Sequence, residues 1–375
     1  MAACTGNIVM KRPTVLLLGK LPPPYMGPSI ATRILLSSRL SDTYRLIHLD
    51  TRAYRSLDRM GKWSPGKVIR TLGIYSRLKL LILRYRPSVV IIPVSQSSTG
   101  YLKDSLYLLI AKTLFRKAVL HLRGSDFRNW YEGAGPLMRQ WVRVTLGRAD
   151  GIIVQGERLR TLFDGLVAPE RIHVVPNGAD FPMKPAFQRH TPFTVLYLAN
   201  LQSSKGIEDV LEAVLLLKNQ GIGEFRLNVA GAWRSPETQR NCMEFVKRHA
   251  LPVTFLPAAV DGEKFRLLEA ADAFVFTPRA PEGHPWVIVE AQAAGLPVIA
   301  TAKGAIPEAV QDGENGFIVP DRDPAVIAER LQLLMEDEDL RQRVAKASRA
   351  AYASRYTEAA MVENMRKAIE AVRSK

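Results

Sequence analysis

Residues 278–300 read Pro278-Arg279-Ala280-Pro281-Glu282-Gly283-His284-Pro285-Trp286-Val287-Ile288-Val289-Glu290-Ala291-Gln292-Ala293-Ala294-Gly295-Leu296-Pro297-Val298-Ile299-Ala300. The pattern predicts a strand end, a tight loop, a helix and the next strand. An apolar β run, Ala273-Phe274-Val275-Phe276, precedes it. Pro285 suits the first turn of a helix, where its missing N–H costs nothing. Glu282 then stands in the loop before that turn, and Glu290 about two turns further on.

Unpaired N–H groups at a helix start attract anions, and carboxylates beside them accept from hydroxyls. A ligand with phosphates in its middle and polyols at both ends fits such a constellation, which is the shape of a nucleotide sugar. Glu-x7-Glu within EGHPWVIVEAQAAGLPVIAT, followed by GAIPEAV and GENGFIVP, resembles the donor-site signature of the family GT4 glycosyltransferases. The resemblance implies an α/β chain of GT-B fold, two Rossmann-like domains facing across a cleft. The residues in register are Gly283, Pro285, Gly295, Pro297 and Gly304.

Composition bounds the same reading. With 375 residues, 47% hydrophobic and 23% charged, the chain is long enough for two globular domains. Two cysteines, Cys4 and Cys242, give neither a disulfide framework nor a metal-ligand cluster, which points to a reducing compartment. Val15–Leu18 is too short for a signal peptide's apolar core. No apolar run approaches the roughly 18–20 residues that span a bilayer. A cytoplasmic protein, or one peripheral on the inner face of the membrane, is expected. Residues 1–180 hold 28 Lys+Arg against 11 Asp+Glu, a net +17, whereas the remainder is near neutral. Such asymmetry calls for an anionic partner of the first half, the bland alternative being a solvated basic surface.

In the first half, Thr14–Leu18 is a buried strand feeding a loop that contains Gly27 and Pro28, before a helix over Ile30–Leu40. This is not GxGxxG, which counts against a dinucleotide oxidoreductase. Where GT4 relatives usually carry paired glycines near the donor phosphate, here only Gly27 remains. From Tyr44 to Arg86 basic residues alternate with aromatic and apolar ones, including Arg52, Tyr54, Arg55, Arg59, Lys62, Trp63, Lys67, Arg70, Tyr75, Arg77, Lys79 and Arg84. That is what an anionic membrane surface requires. No RNA or DNA module signature accompanies it, so nucleic acid is not expected as a partner.

Strand Ser88–Val94 ends in a hydroxyl-rich loop, and strand Ala118–Leu122 in His121-Leu122-Arg123-Gly124-Ser125-Asp126. Ligands of open α/β sheets bind beyond the carboxyl ends of strands, so both loops should face the cleft. Ser97, Ser98, Arg123 and Asp126 are the acceptor-binding candidates. The family often places a histidine directly before this glycine; here Arg123 stands there and His121 two residues earlier, on the same strand face. Both are catalytic candidates. Val-Pro-Asn-Gly-Ala-Asp at 175–180 resembles the family's exit from its first domain, and a proline-spaced linker follows. The expected domains are 1–184, binding the acceptor, and 185–354, binding the donor, with a final helix within 355–375 crossing back.

In the second half, the loop after Phe193–Leu198 holds Asn200 and Lys205 where relatives carry Arg and Lys for the donor diphosphate. Asn cannot neutralise charge, so phosphate binding leans on Lys205 and helix amides. By resemblance, Glu282 holds sugar hydroxyls, Gly283 and His284 offer backbone groups, Glu290 holds the ribose, and Gly27, Pro285, Trp286 and Val287 complete the donor site. Asp321-Arg322-Asp323 has the D-x-D spacing of a metal site, but the following Pro324 makes it a helix-capping segment. No metal and no cofactor is expected. The resemblance implies a retaining transferase moving a sugar from a UDP- or GDP-sugar to a glycan or lipid-linked acceptor. Two rivals share the fold: a sugar-nucleotide epimerase, and a basic peripheral-membrane protein that has lost the chemistry.

Overall fold

The computed structural model describes residues 12–23, 25–52, 65–185, 187, 190–222 and 224–374. Among the described residues, twelve parallel strands form two six-stranded sheets. The first contains β1 (Thr14–Gly19), β2 (Arg45–Asp50), β3 (Val89–Val94), β4 (Lys117–Leu122), β5 (Gly151–Val154) and β6 (Ile172–Val174), in the order β2-β1-β3-β4-β5-β6. The second contains β7 (Phe193–Leu198), β8 (Phe225–Ala230), β9 (Val253–Leu256), β10 (Ala273–Phe276), β11 (Val298–Thr301) and β12 (Gly316–Val319), in the order β12-β11-β10-β7-β8-β9. Central strands such as β1, β3, β10 and β11 read as continuous apolar runs because helices cover both faces. Along β1, Leu16 and Leu18 enter one core layer and Val15 and Leu17 another.

Strand order reverses between β1 and β3 in the first sheet and between β7 and β10 in the second. At such switch points the loops leaving neighbouring strands diverge to opposite faces and open a crevice. The two crevices are where this molecule has its relevant cavities. The chain then returns: the helix Glu358–Arg373 buries Met361, Met365, Ile369 and Val372 against Val15, Leu17, Val89 and Ile153 of the first sheet. Thr357 caps that helix, its hydroxyl accepting from the Ala360 amide at 3.3 Å.

Two helix starts differ from expectation, and one cap agrees with it. The first helix starts at Gly27 and ends at Ser37, because Pro28 fits a first turn and Ser29 caps the Met26 amide at 3.0 Å. Pro285 precedes its helix, which runs Trp286–Ala293 and ends on Gly295 at φ +75°. Asp323 accepts from the Val326 amide at 3.2 Å and Asp321 pairs with Lys303 at 3.1 Å, so the D-x-D segment is a helix cap.

Candidate active site between the domains

The loops after β7 and β11 meet the loop after β10 because two glycines let them touch. Gly206 lies at φ +77°, and a Cβ there would fall 1.9 Å from the Thr277 carbonyl oxygen. Gly304 lies at φ +55°, where a Cβ would fall 1.5 Å from the carbonyl oxygen of Glu282. Only glycine combines that backbone with that approach. The result is a cavity of about 680 Å³ between the domains, lined by Gly27, Arg123, Asn200, Lys205 and all of Glu282–Val287 and Glu290.

Lys205 Nζ donates to Glu282 Oε1 within this cavity. Burial pushes the Glu282 carboxyl up, and Lys205 opposes the shift. Trp286 and Val287, the first two residues of the helix, line the cavity. Their amides have no intrahelical acceptor and form an anion-seeking end. Four residues on, Glu290 is 2% exposed and accepts from Lys264 Nζ at 2.5 Å. Its Oε2 is buried with no hydrogen-bond partner among the described residues. Burial raises its pKa as well, against the pull of Lys264. A buried acceptor left open beside a ligand cavity is a group prepared for a donor that arrives with the ligand.

Asn200 lacks the charge of an arginine, but the fold supplies one beside it. The Leu201 amide donates to Ala232 and the Arg234 amide to Leu201, at 2.9 and 3.0 Å. This zipper lays Arg234 over the loop, its guanidinium donating to Asn200 Oδ1 at 3.1 Å and lining the cavity. His284 is neutral, its pKa lowered to about 3 by burial and then by Arg355. Its Nδ1 accepts from the Asn177 amide at 3.1 Å, and its carbonyl from Asn177 Nδ2 at 2.6 Å. The Gly283 carbonyl accepts from Ala305 at 3.1 Å. The carbonyls of Gly283 and His284 are thus occupied, leaving their amides as what they offer a ligand. The Trp286 ring packs with Ala31 and Ala179 as a wedge between the domains, and its Cδ1 faces Gly27 across the cavity wall.

Arg123 lines this cavity and also a second one of about 350 Å³ at the β1/β3 crevice, where His121 lies too. Three acceptor-site candidates lie outside both cavities. Ser97 and Ser98 line neither cavity, because the chain turns into a helix at Ser98 with Ser97 preceding it. Their neighbours Ser95 and Gln96 line the second cavity instead. Asp126 lies at the start of helix Phe127–Gly133, accepts from Asn129 Nδ2 at 2.9 Å and lines neither cavity. Sequence reasoning missed Lys264, Arg234 and Asn177, as well as Glu308. The last reaches across to accept from the Glu157 and Arg158 amides at 2.8 and 2.7 Å.

Two doubly wound domains with a charged cavity between them, and a terminal helix crossing back, constitute a GT-B fold. Residues 181–351, just under half of the chain, match the family model described as "Glycosyl transferases group 1". A putative colanic acid biosynthesis glycosyltransferase of Escherichia coli is 30% identical over 173 residues, 43% of this chain and 41% of that protein. A D-inositol 3-phosphate glycosyltransferase of Corynebacterium efficiens is 32% identical over 197 residues, 47% of this chain and 45% of that one. The chain therefore spans just under half the length of these relatives. Among solved structures, HepE of Anabaena, in complex with UDP and glucose, superposes with a TM-score of 0.72 at 18% identity, covering 96% of this chain and all of that one.

Proposed function

We propose that the chain is a retaining glycosyltransferase that moves a sugar from a UDP- or GDP-sugar to a glycan or lipid-linked acceptor of the cell surface. The observation that carries this is one cavity holding an open helix N-terminus, Lys205 and Arg234 for a diphosphate, and a carboxylate on either side, Glu282 and Glu290. The reading is supported by a relative named for colanic acid biosynthesis and a structural neighbour that holds UDP and glucose. The diphosphate sits over the Trp286 and Val287 amides, with Lys205 released from Glu282 to meet its charge. Glu282 then accepts from sugar hydroxyls, and Glu290 Oε2 from the ribose. As the bond to the sugar breaks, charge grows on the departing oxygen, and Lys205, Arg234 and the amides stabilise it without a metal. The acceptor hydroxyl enters from the first domain, on the face the nucleotide leaves. Closing the domains excludes water and limits hydrolysis.

A panel of nucleotide sugars scored by thermal unfolding tests this. The matching donor at a hundredfold excess over its Kd stabilises by about 2.7 kcal/mol, and Glu290→Ala lowers that gain. If no nucleotide sugar raises the unfolding temperature, the proposal fails.

The same proposal includes a seat on the inner membrane surface. Helix Pro65–Tyr85 presents Ile69, Leu72, Leu80 and Leu83, 58–71% exposed, along one face. Arg77, Lys79 and Arg84 flank that stripe, and an apolar stripe edged by basic residues is suited to anionic lipid. Other parts of the basic stretch serve the fold. Arg52 pairs with Asp50 at 2.5 Å, and the Tyr75 ring lies 4.9 Å from Tyr107. Tyr54, Arg55, Arg59, Lys62 and Trp63 lie outside the described residues, as does the side chain of Lys67. Leu72→Glu with Leu83→Glu is expected to weaken sedimentation with phosphatidylglycerol vesicles at least about tenfold. Unchanged binding would remove this seat.

A further inference from the structure

The smaller cavity lies at the first sheet's switch point, beyond the ends of β1, β3 and β4. Its lining carries Lys20, Lys103 and Arg123 against one acid, Asp104. Asp104 is committed to the protein. Its Oδ2 accepts from the Ser95 amide at 2.9 Å and the Ser95 hydroxyl at 2.6 Å, and its Oδ1 pairs with Lys103 at 3.0 Å. His121 adds no charge, since burial and then Arg123 hold its pKa well below the usual value. The cavity wall is therefore net positive.

Two groups in it point to a ligand. His121 is 4% exposed, and its Nε2 is buried without a partner among the described residues. Arg123, two residues on, is a half-buried guanidinium whose pKa burial lowers to about 10. No carboxylate among the described residues forms an ion pair with it. Desolvating a guanidinium without a counter-charge is costly, so a site that keeps one expects an anion from outside. Planar guanidinium donors suit both oxygens of a phosphate or carboxylate.

We infer that this cavity binds the acceptor through an anionic group, a phosphate or a carboxylate, held by Arg123 and bonded to His121. The inference rests on the glycosyltransferase reading for the word acceptor, and on the cavity itself for the anion. Arg123 lies on the wall shared with the donor cavity, so an acceptor fixed there would direct a hydroxyl towards the sugar. The anion would then select among acceptors as well as orient them.

The test uses the full chain with UDP at saturation, which fills the donor cavity before the probe is added. Glucose 6-phosphate, glucuronate and glucose are titrated by calorimetry into the wild type, Arg123→Gln and Arg123→Lys. Both anionic sugars are expected to bind at least about tenfold more tightly than glucose, the size of one charge-assisted hydrogen bond. Arg123→Gln should erase that difference while UDP affinity and unfolding temperature hold, and Arg123→Lys should restore part of it. Equal affinity for all three sugars, or a preference that survives Arg123→Gln, overturns the inference. A loss of UDP affinity in Arg123→Gln with the preference intact also overturns it, since Arg123 would then serve the donor. Failure of the wild type to bind UDP would instead count against the donor site, and the sugar titrations repeated without UDP would still score the cavity. Phosphatidylglycerol vesicles that compete with glucose 6-phosphate, where phosphatidylcholine vesicles do not, would assign the anion to a lipid headgroup. Absence of competition would assign it to a soluble phosphate or carboxylate.

Discussion

Glu282→Ala is expected to lower the rate of sugar transfer at least about a hundredfold in a protein that stays folded. The carboxylate is the group placed to hold sugar hydroxyls beside the diphosphate end, and misplacing a reacting centre by about 1 Å costs on that order. The loss should fall on kcat more than on nucleotide affinity, since the amides, Arg234 and Glu290 remain. Folding should survive because the partner left behind, Lys205, faces the cavity and is 21% exposed at its side chain. Turnover of the variant near the wild-type rate, measured with the donor chosen by thermal shift, would remove Glu282 from the chemistry.

Gly304→Ala should do the opposite, costing activity and stability together. The new Cβ would sit 1.5 Å from the Glu282 carbonyl oxygen at a φ of +55°, so the 282–285 loop has to move. Positive φ for a residue with a Cβ and a forced displacement of packed backbone together cost several kcal/mol. Unfolding in urea should show a lower midpoint, and nucleotide affinity should fall with it. A variant as stable and as active as the wild type would mean that the two loops are not held in this contact.

The legible part of the molecule was its periodic part. Apolar runs such as Phe193–Leu198 and Val298–Thr301 could only be strands buried on both faces, and the loops that follow them had to face a crevice. The motif around Glu282 and Glu290 brought its own geometry, because both residues lie on one loop-helix unit. What escaped came from elsewhere in the chain. Lys264 meets Glu290 from 26 residues away, and Arg234 meets Asn200 across 34. No spacing rule links those loops; only the register of β7 beside β8 and the crevice around β10 do. The hydroxyl loop after β3 shows how small an error matters. With the helix starting at Ser98, the groups facing the cavity become those of Ser95 and Gln96. Asp126 escaped for a different reason: an acidic residue before a helix serves as readily at a helix end as in a site.

The account turns on where a diphosphate lies. A crystal structure of the chain with its preferred nucleotide sugar should show phosphate oxygens within hydrogen-bond distance of the Trp286 and Val287 amides and Lys205 Nζ, with the ribose against Glu290. Phosphates bound anywhere else, with that helix end left to solvent, would contradict it.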